Sequence, residues 1–432
     1  MIQVGASMID ITPPNGMLMA GFAARSAVAE DDHDALTVRA LAVDDTAVVT
    51  VDVIGIDANL SARARARAVL PDHAITITAT HTHGGPVSMP GRLSAEADPA
   101  FILNLEDAVV KAVDQAIANQ KPARLLGGIG AEPGFASNRR RSDGPVDTGI
   151  PVLRLDSVEG STIAILVSYA CHPVVLGADN LSWTGDYPHF VREKLEITFP
   201  GAIAIFATGC AGDVNTGHSA AASLSPLAMP ERSFARAKEI GFGIAKAVLD
   251  ARLTDVSGNV GHSEAFGDIC FEQREHEAPL ILAKSWRVAA KDTSSIEAIW
   301  ANWAEKHMGR DLSPRRARVT ALKWGGAGIV ALPGEIFAET ALEIRERLAQ
   351  KDPLFILAYA DDNPGYIPPE SDYLRGGYEI DEAHRFYGLG ATVAPRTAEH
   401  LAEAGCKSVE MARVVAAQTR LTKTYLTQGG KS

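Results

Sequence analysis

The chain has 432 residues, of which 46% are hydrophobic and 22% charged, a globular composition that excludes disordered, collagen-like and coiled-coil proteins. Its 41 Lys and Arg against 53 Asp and Glu give a formal net charge of -12. A surface this acidic repels phosphate backbones, and no basic stripe offsets the repulsion, so nucleic acid is excluded as a partner.

The cysteines and the N-terminus bear on the compartment. The four cysteines (Cys171, Cys210, Cys270 and Cys406) are far apart and include no CxxC pair. A disulfide framework and zinc-finger spacing are therefore both excluded. The opening segment, MIQVGASMIDITPP, has neither the basic region nor the apolar run of a signal peptide, and no apolar stretch has the length of a membrane span. These patterns predict a cytoplasmic protein without stable membrane insertion.

Apolar runs typical of strands alternate with helical patterns along the chain. The predicted strands are 47–53, 75–79, 163–170, 202–207, 328–332 and 354–360, and the predicted helices are 101–117, 188–198, 231–253, 336–348 and 409–426. This alternation predicts an α/β fold with mixed or largely parallel sheets flanked by helices. In such folds ligands bind beyond the carboxyl ends of the strands, so we expect the active site there.

Two polar stretches interrupt this pattern. Residues 272–318 are rich in charge and poor in strand signals, with a predicted helix at 296–307, and we interpret them as an insertion or cap. The stretch at 61–69, SARARARAV, predicts a helix whose arginines face solvent. We expect one domain over residues 1–432.

The first candidate site is THTHGGP at residues 80–86. In an extended segment residues two apart share a face, so His81 and His83 can converge on one point. Neutral imidazole is a frequent ligand of zinc. Gly84 and Gly85 have no side chains, so we expect them to leave room for a ligand to approach the backbone.

Further chemistry-bearing residues follow other predicted strands. His172 follows the strand at 163–170, Glu335 follows a Pro-Gly turn, and Tyr366 lies in a proline-rich loop. Taken singly, each can also be explained without function: His172 as a buried histidine bonded to backbone and Glu335 as a helix-dipole partner. The glycine-rich stretch TGCAGDVNTG at 208–217 lacks the ending of a phosphate-binding loop, and the chain contains neither GxSxG nor HExxH.

Taken together, these segments resemble the neutral/alkaline (non-lysosomal) ceramidases, a family of zinc-dependent amidases. The matching segments are VGASMIDITPP and MAGF near the start, THTHGGP, Asn138-Arg139, GDVN at 212–215, LPGE at 332–335, Tyr366-Ile367, Gly377-Tyr378-Glu379 and Phe386-Tyr387-Gly388. They occur in the family's order from about residue 3 to about residue 395.

The resemblance implies a zinc ion held by His81, His172, Glu335 and Tyr366. It also implies substrate-facing roles for other residues. His83 and Arg139 would polarise a carbonyl or stabilise an oxyanion, and Tyr378 would bind substrate. Asp213 either binds a polar substrate group or caps its own turn.

The chain departs from the family pattern at an important position. The family's serine in GDVS is replaced by Asn215, which is no nucleophile, so we expect zinc-activated water to attack and Asn215 to donate a hydrogen bond. We also expect no C-terminal β-rich domain and no export. These departures favour a small soluble amide or ester over a long-chain sphingolipid.

The leading hypothesis is a zinc-dependent hydrolase of a linear amide. An esterase or lactonase using the same site stays open. So does a non-catalytic binder that has lost the family serine, and so does a structural α/β protein whose histidines only satisfy backbone groups. A homodimer is the default expectation for an enzyme of this kind.

Overall fold

The computed structural model of the chain describes residues 1–93, 96–219, 227–275, 277–292, 295–307 and 311–429, with side chains as far as residue 418. The principal strands are β1 (Ile2–Asp10), β2 (Thr37–Val43), β3 (Thr46–Val51), β4 (Ile75–Ala79), β5 (Lys121–Ala131), β6 (Gly149–Ser157), β7 (Thr162–Tyr169), β8 (Ile203–Thr208), β9 (Val260–Ile269), β10 (Arg315–Trp324), β11 (Ala327–Ala331) and β12 (Leu354–Leu357). The helices are α1 (Ala58–Arg67), α2 (Pro99–Ala118), α3 (Tyr187–Thr198), α4 (Phe234–Asp250), α5 (Pro279–Ala289), α6 (Ile296–Lys306), α7 (Ala338–Leu348) and α8 (Thr397–Gly429).

Most of these strands belong to one large mixed sheet. Within the described residues it has nine strands, eight of them in the order β8-β7-β6-β5-β1-β2-β3-β4, and the short strand Thr254–Asp255 pairs with β5. The β8–β7 and β3–β4 pairs at its two edges are parallel, and the pairs between them are antiparallel. The prediction of a mixed sheet flanked by helices is confirmed. The alternative prediction, a largely parallel sheet, is wrong because most neighbouring strands pair antiparallel.

A second sheet, with the order β9-β10-β11-β12, packs against the first. Alternation along the strands builds the layers, because successive side chains of a strand point to opposite faces. In β2, Leu41 and Val43 lie in the core between the two sheets, with Trp324 and Phe355 opposite, while its other apolar side chains face the helices. The result is a helix–sheet–sheet–helix arrangement, with α2, α3 and α4 outside the large sheet and α8 outside the small one.

The two edges of the large sheet meet where the small sheet crosses them. The Thr208 hydroxyl, at the end of β8, donates to the carbonyl of Thr80, just after β4, at 2.6 Å. The chain leaving β12 lies across both edges, since the Ala358 amide donates to Thr208 and the Ala79 amide donates to Tyr359. The carboxyl ends of strands from both sheets therefore come together at one place.

Several local expectations differ from the structure. Helix α8 begins at Thr397, twelve residues before the predicted start, and β10 begins inside the predicted insertion at 272–318. The arginines of α1 do not all face solvent. Arg65 is buried and pairs with Asp361 at 2.7 Å, because the apolar face of α1 carries that side chain inward.

The described part of 272–314 contains helices α5 and α6, which pack against each other. The indole of Trp303 donates to the carbonyl of Leu389 at 2.7 Å, and the ring of Trp300 lies 6.4 Å from that of Phe386. This helix pair therefore covers the segment on either side of Tyr387. Among the described residues, no helix is both long enough and apolar enough to cross a bilayer.

Candidate metal centre and active site

His81 is held by the backbone just beyond β4. Its φ of 64° lies in the left-handed region, which is costly for a residue of this size and typical of functional sites. The His81 amide donates to Val53 at 3.0 Å, and its Nδ1 lies 2.6 Å from the carbonyl oxygen of Ile54. A carbonyl can only accept, so Nδ1 is the donor of this bond, and in the neutral ring Nε2 presents a lone pair.

His172, beyond the end of β7, is fixed in the same way. Its amide donates to Val214 at 2.9 Å, and its Nδ1 donates to the carbonyl of Ala211 at 2.5 Å. Burial and the nearby Arg139 lower the pKa of His172 to about 4, so the ring is neutral near pH 7. The Nε2 of this ring also presents a lone pair.

Glu335 lies between these two imidazoles. Its Oε2 is 3.0 Å from Nε2 of His172 and 3.4 Å from Nε2 of His81, and the residue is fully buried. The hydroxyl of Tyr387 donates to the other oxygen, Oε1, which leaves Oε2 directed at the two rings.

His83 completes a three-histidine cluster with His81 and His172. One ring nitrogen from each residue lies within 4.8 Å of the others. Neither ring nitrogen of His83 has a hydrogen-bond partner among the described residues, and burial, followed by the two neighbouring imidazoles, lowers its pKa well below the usual value. Its ring packs against Phe22 at 4.7 Å and against Gly21, where a Cβ would lie 2.5 Å from the imidazole.

Tyr366 reaches the centre through a short parallel pairing of residues 366–367 with 335–336, which places it directly beside Glu335. Arg139 Nη2 donates to the Tyr366 hydroxyl at 3.0 Å, and Arg139 Nε donates to Glu379 at 2.9 Å. Burial raises the pKa of Tyr366 well above its usual value, and the charge of Arg139 opposes that shift. The Tyr366 ring is 5.8 Å from that of Tyr378, which therefore lies at the same site.

The two polar residues of GDVN point elsewhere. Asp213 accepts from the amide of Ala338 at 2.8 Å and from Asn138 at 2.6 Å, so it ties the start of α7 to the residue next to Arg139. Asn215 closes its own turn: its Oδ1 accepts from the amides of Gly217 and His218, and its Nδ2 donates to the carbonyl of His218. Catalytic or substrate-binding roles for these two side chains stay predictions.

Gly84 and Gly85 serve the protein rather than a ligand. A Cβ on Gly84 would lie 2.5 Å from the carbonyl oxygen of Thr184, and one on Gly85 would lie 3.1 Å from that of Asp52. The expectation that these glycines leave room for a ligand is wrong, because neighbouring backbone fills the space.

The sequence patterns assign no role to two further tyrosines that lie at this site. Tyr387 bonds Glu335, and Tyr359 stacks on the His81 ring with centroids 4.0 Å apart. Tyr387 lies in a segment that carries the ceramidase resemblance, so the motif could have indicated it. Tyr359 lies within an apolar run, LFILAYA, and nothing in that pattern separates it from a core aromatic.

The donor set fits a bound cation. Nε2 of His81, Nε2 of His172 and Oε2 of Glu335 converge as lone-pair donors, and the protons of both rings are committed to backbone carbonyls on the far side. A metal ion satisfies all three at once, and imidazole with carboxylate is a typical zinc set in which the second ring nitrogen donates to the backbone. Tyr366 and His83 are the neighbouring groups that can complete the coordination.

Comparison with known proteins gives a consistent picture, although no family model matches the chain. The neutral ceramidase of Mycobacterium tuberculosis (strain ATCC 25618 / H37Rv) is 29% identical over 192 residues, which cover 38% of this chain. The match spans 30% of the length of that relative.

Solved structures resemble the chain over nearly all of its length. The crystal structure of neutral ceramidase from Pseudomonas aeruginosa matches with a TM-score of 0.73 at 17% identity, and a ceramidase complexed with C2 matches with a TM-score of 0.73 at 16% identity. Each match covers 97% of this chain and 75% of the other. The chain thus has a ceramidase-like α/β fold, and the family resemblance predicted from its ordered motifs is confirmed.

Proposed function

We propose that this chain is a zinc-dependent hydrolase that cleaves a linear amide. One observation carries the proposal: Oε2 of Glu335 lies within 3.4 Å of Nε2 of both His81 and His172, at the strand ends of a ceramidase-like fold. The proposed ligands are His81, His172, Glu335 and Tyr366. A zinc ion held there supplies Lewis-acid polarisation of the substrate carbonyl and lowers the pKa of water toward 7.

The remaining side chains of the site bind and orient the substrate. His83 is held neutral by burial, and both its ring nitrogens are available, so it can donate to a carbonyl oxygen or accept a proton from water. Arg139 places a fixed positive charge beside Tyr366, where it favours negative charge that develops on substrate. Tyr378 would contact the part of the substrate nearest Tyr366.

Asn215 stands where the ceramidases have a serine, and it cannot act as a nucleophile. An amide side chain is no nucleophile, and its oxygen and nitrogen are both engaged in its own turn. The proposal therefore assigns the attack to water and gives Asn215 the task of holding the 212–218 loop, to which the backbone of His172 is bonded through Val214.

Amide cleavage is favoured over ester cleavage by the similarity to ceramidases, whose name denotes an amide substrate. The depth of the centre favours a small substrate. Each of the four proposed ligands is at most 9% exposed, and α5 and α6 cover the neighbouring segment around Tyr387. We therefore propose a small soluble N-acyl amide.

The test measures zinc content and hydrolysis on the same preparations. Wild type, purified without a tag or chelator, should carry about one zinc per chain and should hydrolyse members of a panel of N-acyl amides and p-nitrophenyl esters of increasing acyl length. His172→Ala should lose both properties. His262→Ala is a matched control, because His262 stacks on His73 away from the centre and should keep both.

Three results contradict parts of the proposal. A folded wild type that takes up no zinc refutes the metal centre. If the protein takes up zinc and cleaves esters but leaves every amide intact, the activity is that of an esterase or lactonase. A Glu335→Gln variant that loses zinc but still binds an amide as tightly as wild type favours the non-catalytic binder that Asn215 suggests.

A further inference from the structure

Tyr359 joins two segments that carry proposed ligands. Its amide donates to Gly334, which precedes Glu335, at 3.0 Å, and its carbonyl accepts from Ala79, two residues before His81, at 3.2 Å. These bonds hold Tyr359 at a φ of 55°, in the left-handed region that a residue of this size adopts only under constraint. The backbone thus places this side chain at the centre at some cost.

The ring of Tyr359 lies flat against one of the imidazoles. The planes of Tyr359 and His81 are inclined by 17° with centroids 4.0 Å apart, and the ring of His172 stands edge-on at 6.2 Å. Stacking fixes the tilt of the His81 ring, which its Nδ1 bond to Ile54 alone leaves free to rotate about that bond.

The hydroxyl of Tyr359 differs in its hydrogen bonding from most other buried tyrosine hydroxyls of the chain. Tyr359 is completely buried, yet its hydroxyl has no hydrogen-bond partner among the described residues. Other buried tyrosine hydroxyls do have partners, namely those of Tyr169, Tyr187, Tyr373 and Tyr387. The ring that carries this hydroxyl lies 4.0 Å from the ring of His81 and 6.2 Å from that of His172, so the phenol forms part of the wall of the centre.

A buried hydroxyl without a partner carries a free-energy penalty, and in a native protein a water, an ion or a catalytic role accounts for it. We propose that the Tyr359 hydroxyl is a catalytic hydrogen-bond donor, which binds the carbonyl oxygen of the amide substrate and the oxyanion that develops from it. This role rests on the proposed function and adds a donor just beyond β12 that the ceramidase-like motifs do not contain.

The test is Tyr359→Phe, which keeps the ring and its stacking on His81 and removes only the oxygen. We expect kcat/KM for the best substrate to fall about 100- to 1,000-fold, the order of effect for losing one oxyanion donor. Zinc content should be unchanged, and Tm should be unchanged or higher, because no resting hydrogen bond is lost. Tyr373→Phe is the control. Its hydroxyl donates to Val393 at 2.8 Å, so this variant should lose stability and keep its activity.

A second measurement separates this proposal from the proposed function. Acetohydroxamate, a small carbonyl-bearing zinc ligand, is titrated calorimetrically into the zinc-loaded proteins, and its Kd should weaken at least about tenfold in Tyr359→Phe. If wild type binds acetohydroxamate but hydrolyses nothing in the panel, the proposed function fails and the comparison of Kd values still decides the role of Tyr359.

Three outcomes overturn the proposal. The first is a Tyr359→Phe variant within twofold of wild type in both kcat/KM and acetohydroxamate Kd. The second is a lower Tm with unchanged activity, which assigns the hydroxyl to a structural water. The third is loss of zinc together with acetohydroxamate affinity, which makes the hydroxyl a support for the metal rather than for the ligand.

Discussion

Replacing Arg192 by Leu should weaken the fold directly beneath the candidate centre. Arg192 donates to Asp52 at 2.8 Å, and the two residues are 1% and 0% exposed. Asp52 also accepts from the Thr80 hydroxyl at 3.1 Å, immediately before His81, so this ion pair supports the segment that carries the first proposed ligand.

The size of the stability loss in Arg192→Leu depends on the hydrogen bonds that Asp52 retains. Removing one partner of a buried ion pair costs about 3–5 kcal/mol, because the other charge is left without compensation. Asp52 would retain two bonds from the amide and hydroxyl of Thr37, at 2.9 and 2.8 Å, as well as that from Thr80. We therefore expect the lower end of the range, about 3 kcal/mol.

The same substitution should reverse the pH dependence that Asp52 contributes. In wild type, burial acts to raise the pKa of Asp52, but Arg192 and then Arg39 hold it below its usual value. The stability that Asp52 contributes is therefore present above the unfolded pKa and lost as pH falls through the folded one. Without Arg192, burial dominates and the folded pKa lies above the unfolded value, so stability should fall as pH rises between the two.

Urea unfolding followed by tryptophan fluorescence at pH 5 and pH 8 measures both effects. Arg192→Leu should lose more stability at pH 8 than at pH 5, and Asp52→Asn/Arg192→Leu should recover most of the loss and show no such pH dependence. A cost below about 1 kcal/mol at pH 8, or a cost equal at the two pH values, would refute the reasoning.

Three further predictions concern the candidate centre. Gly21→Ala should abolish activity and lower the free energy of unfolding by more than about 1 kcal/mol, because it combines a φ of 104° with a 2.5 Å approach to His83. Gly16→Ala, at a φ of 92° with open space around it, should pay only the backbone cost, and equal losses in the two variants would contradict this account. Glu379→Gln should lower kcat/KM about tenfold without changing zinc content, since it removes the charge that orients Arg139, and a value within twofold of wild type would count against that link. Removing zinc with a chelator should lower Tm, and zinc restored at 100 times its Kd should return about 2.7 kcal/mol, so a Tm that ignores zinc would argue against a metal in the folded state.

The site could be predicted from the sequence to the extent that its residues follow strand ends. His81, His172 and Glu335 each come within four residues of the end of a buried apolar strand, and in the structure they meet. The order of the motifs identified Tyr366 and Arg139 as further candidates. The hydrogen bond from Arg139 to the Tyr366 hydroxyl could not be predicted from their spacing in the sequence. What the sequence could not reveal were contacts between residues distant in the chain, such as the Asp52–Arg192 pair beneath the site.

The fold was predictable where a strand is followed by a helix and much less so where strands pair as hairpins. Strand β5 reads KPARLLGGIGA, and its proline and glycines hide the strand pattern. The structure explains two of those glycines by close backbone approach. A Cβ on Gly128 would lie 2.5 Å from the carbonyl oxygen of Arg252, and one on Gly130 would lie 2.7 Å from that of Ala247.

The proposed ligands are contributed by residues as far apart as 81 and 366, from the strand ends of two sheets joined at the crossing of Tyr359. Either sheet alone presents only part of the set: His81 and His172 come from the large one, Glu335 and Tyr366 from segments beside the small one. High zinc affinity should therefore arise only when both sheets have docked, since a site absent from the unfolded chain couples metal binding to folding. Metal occupancy would then report that assembly is complete, and a chain arrested with one sheet formed would remain empty even where zinc is abundant.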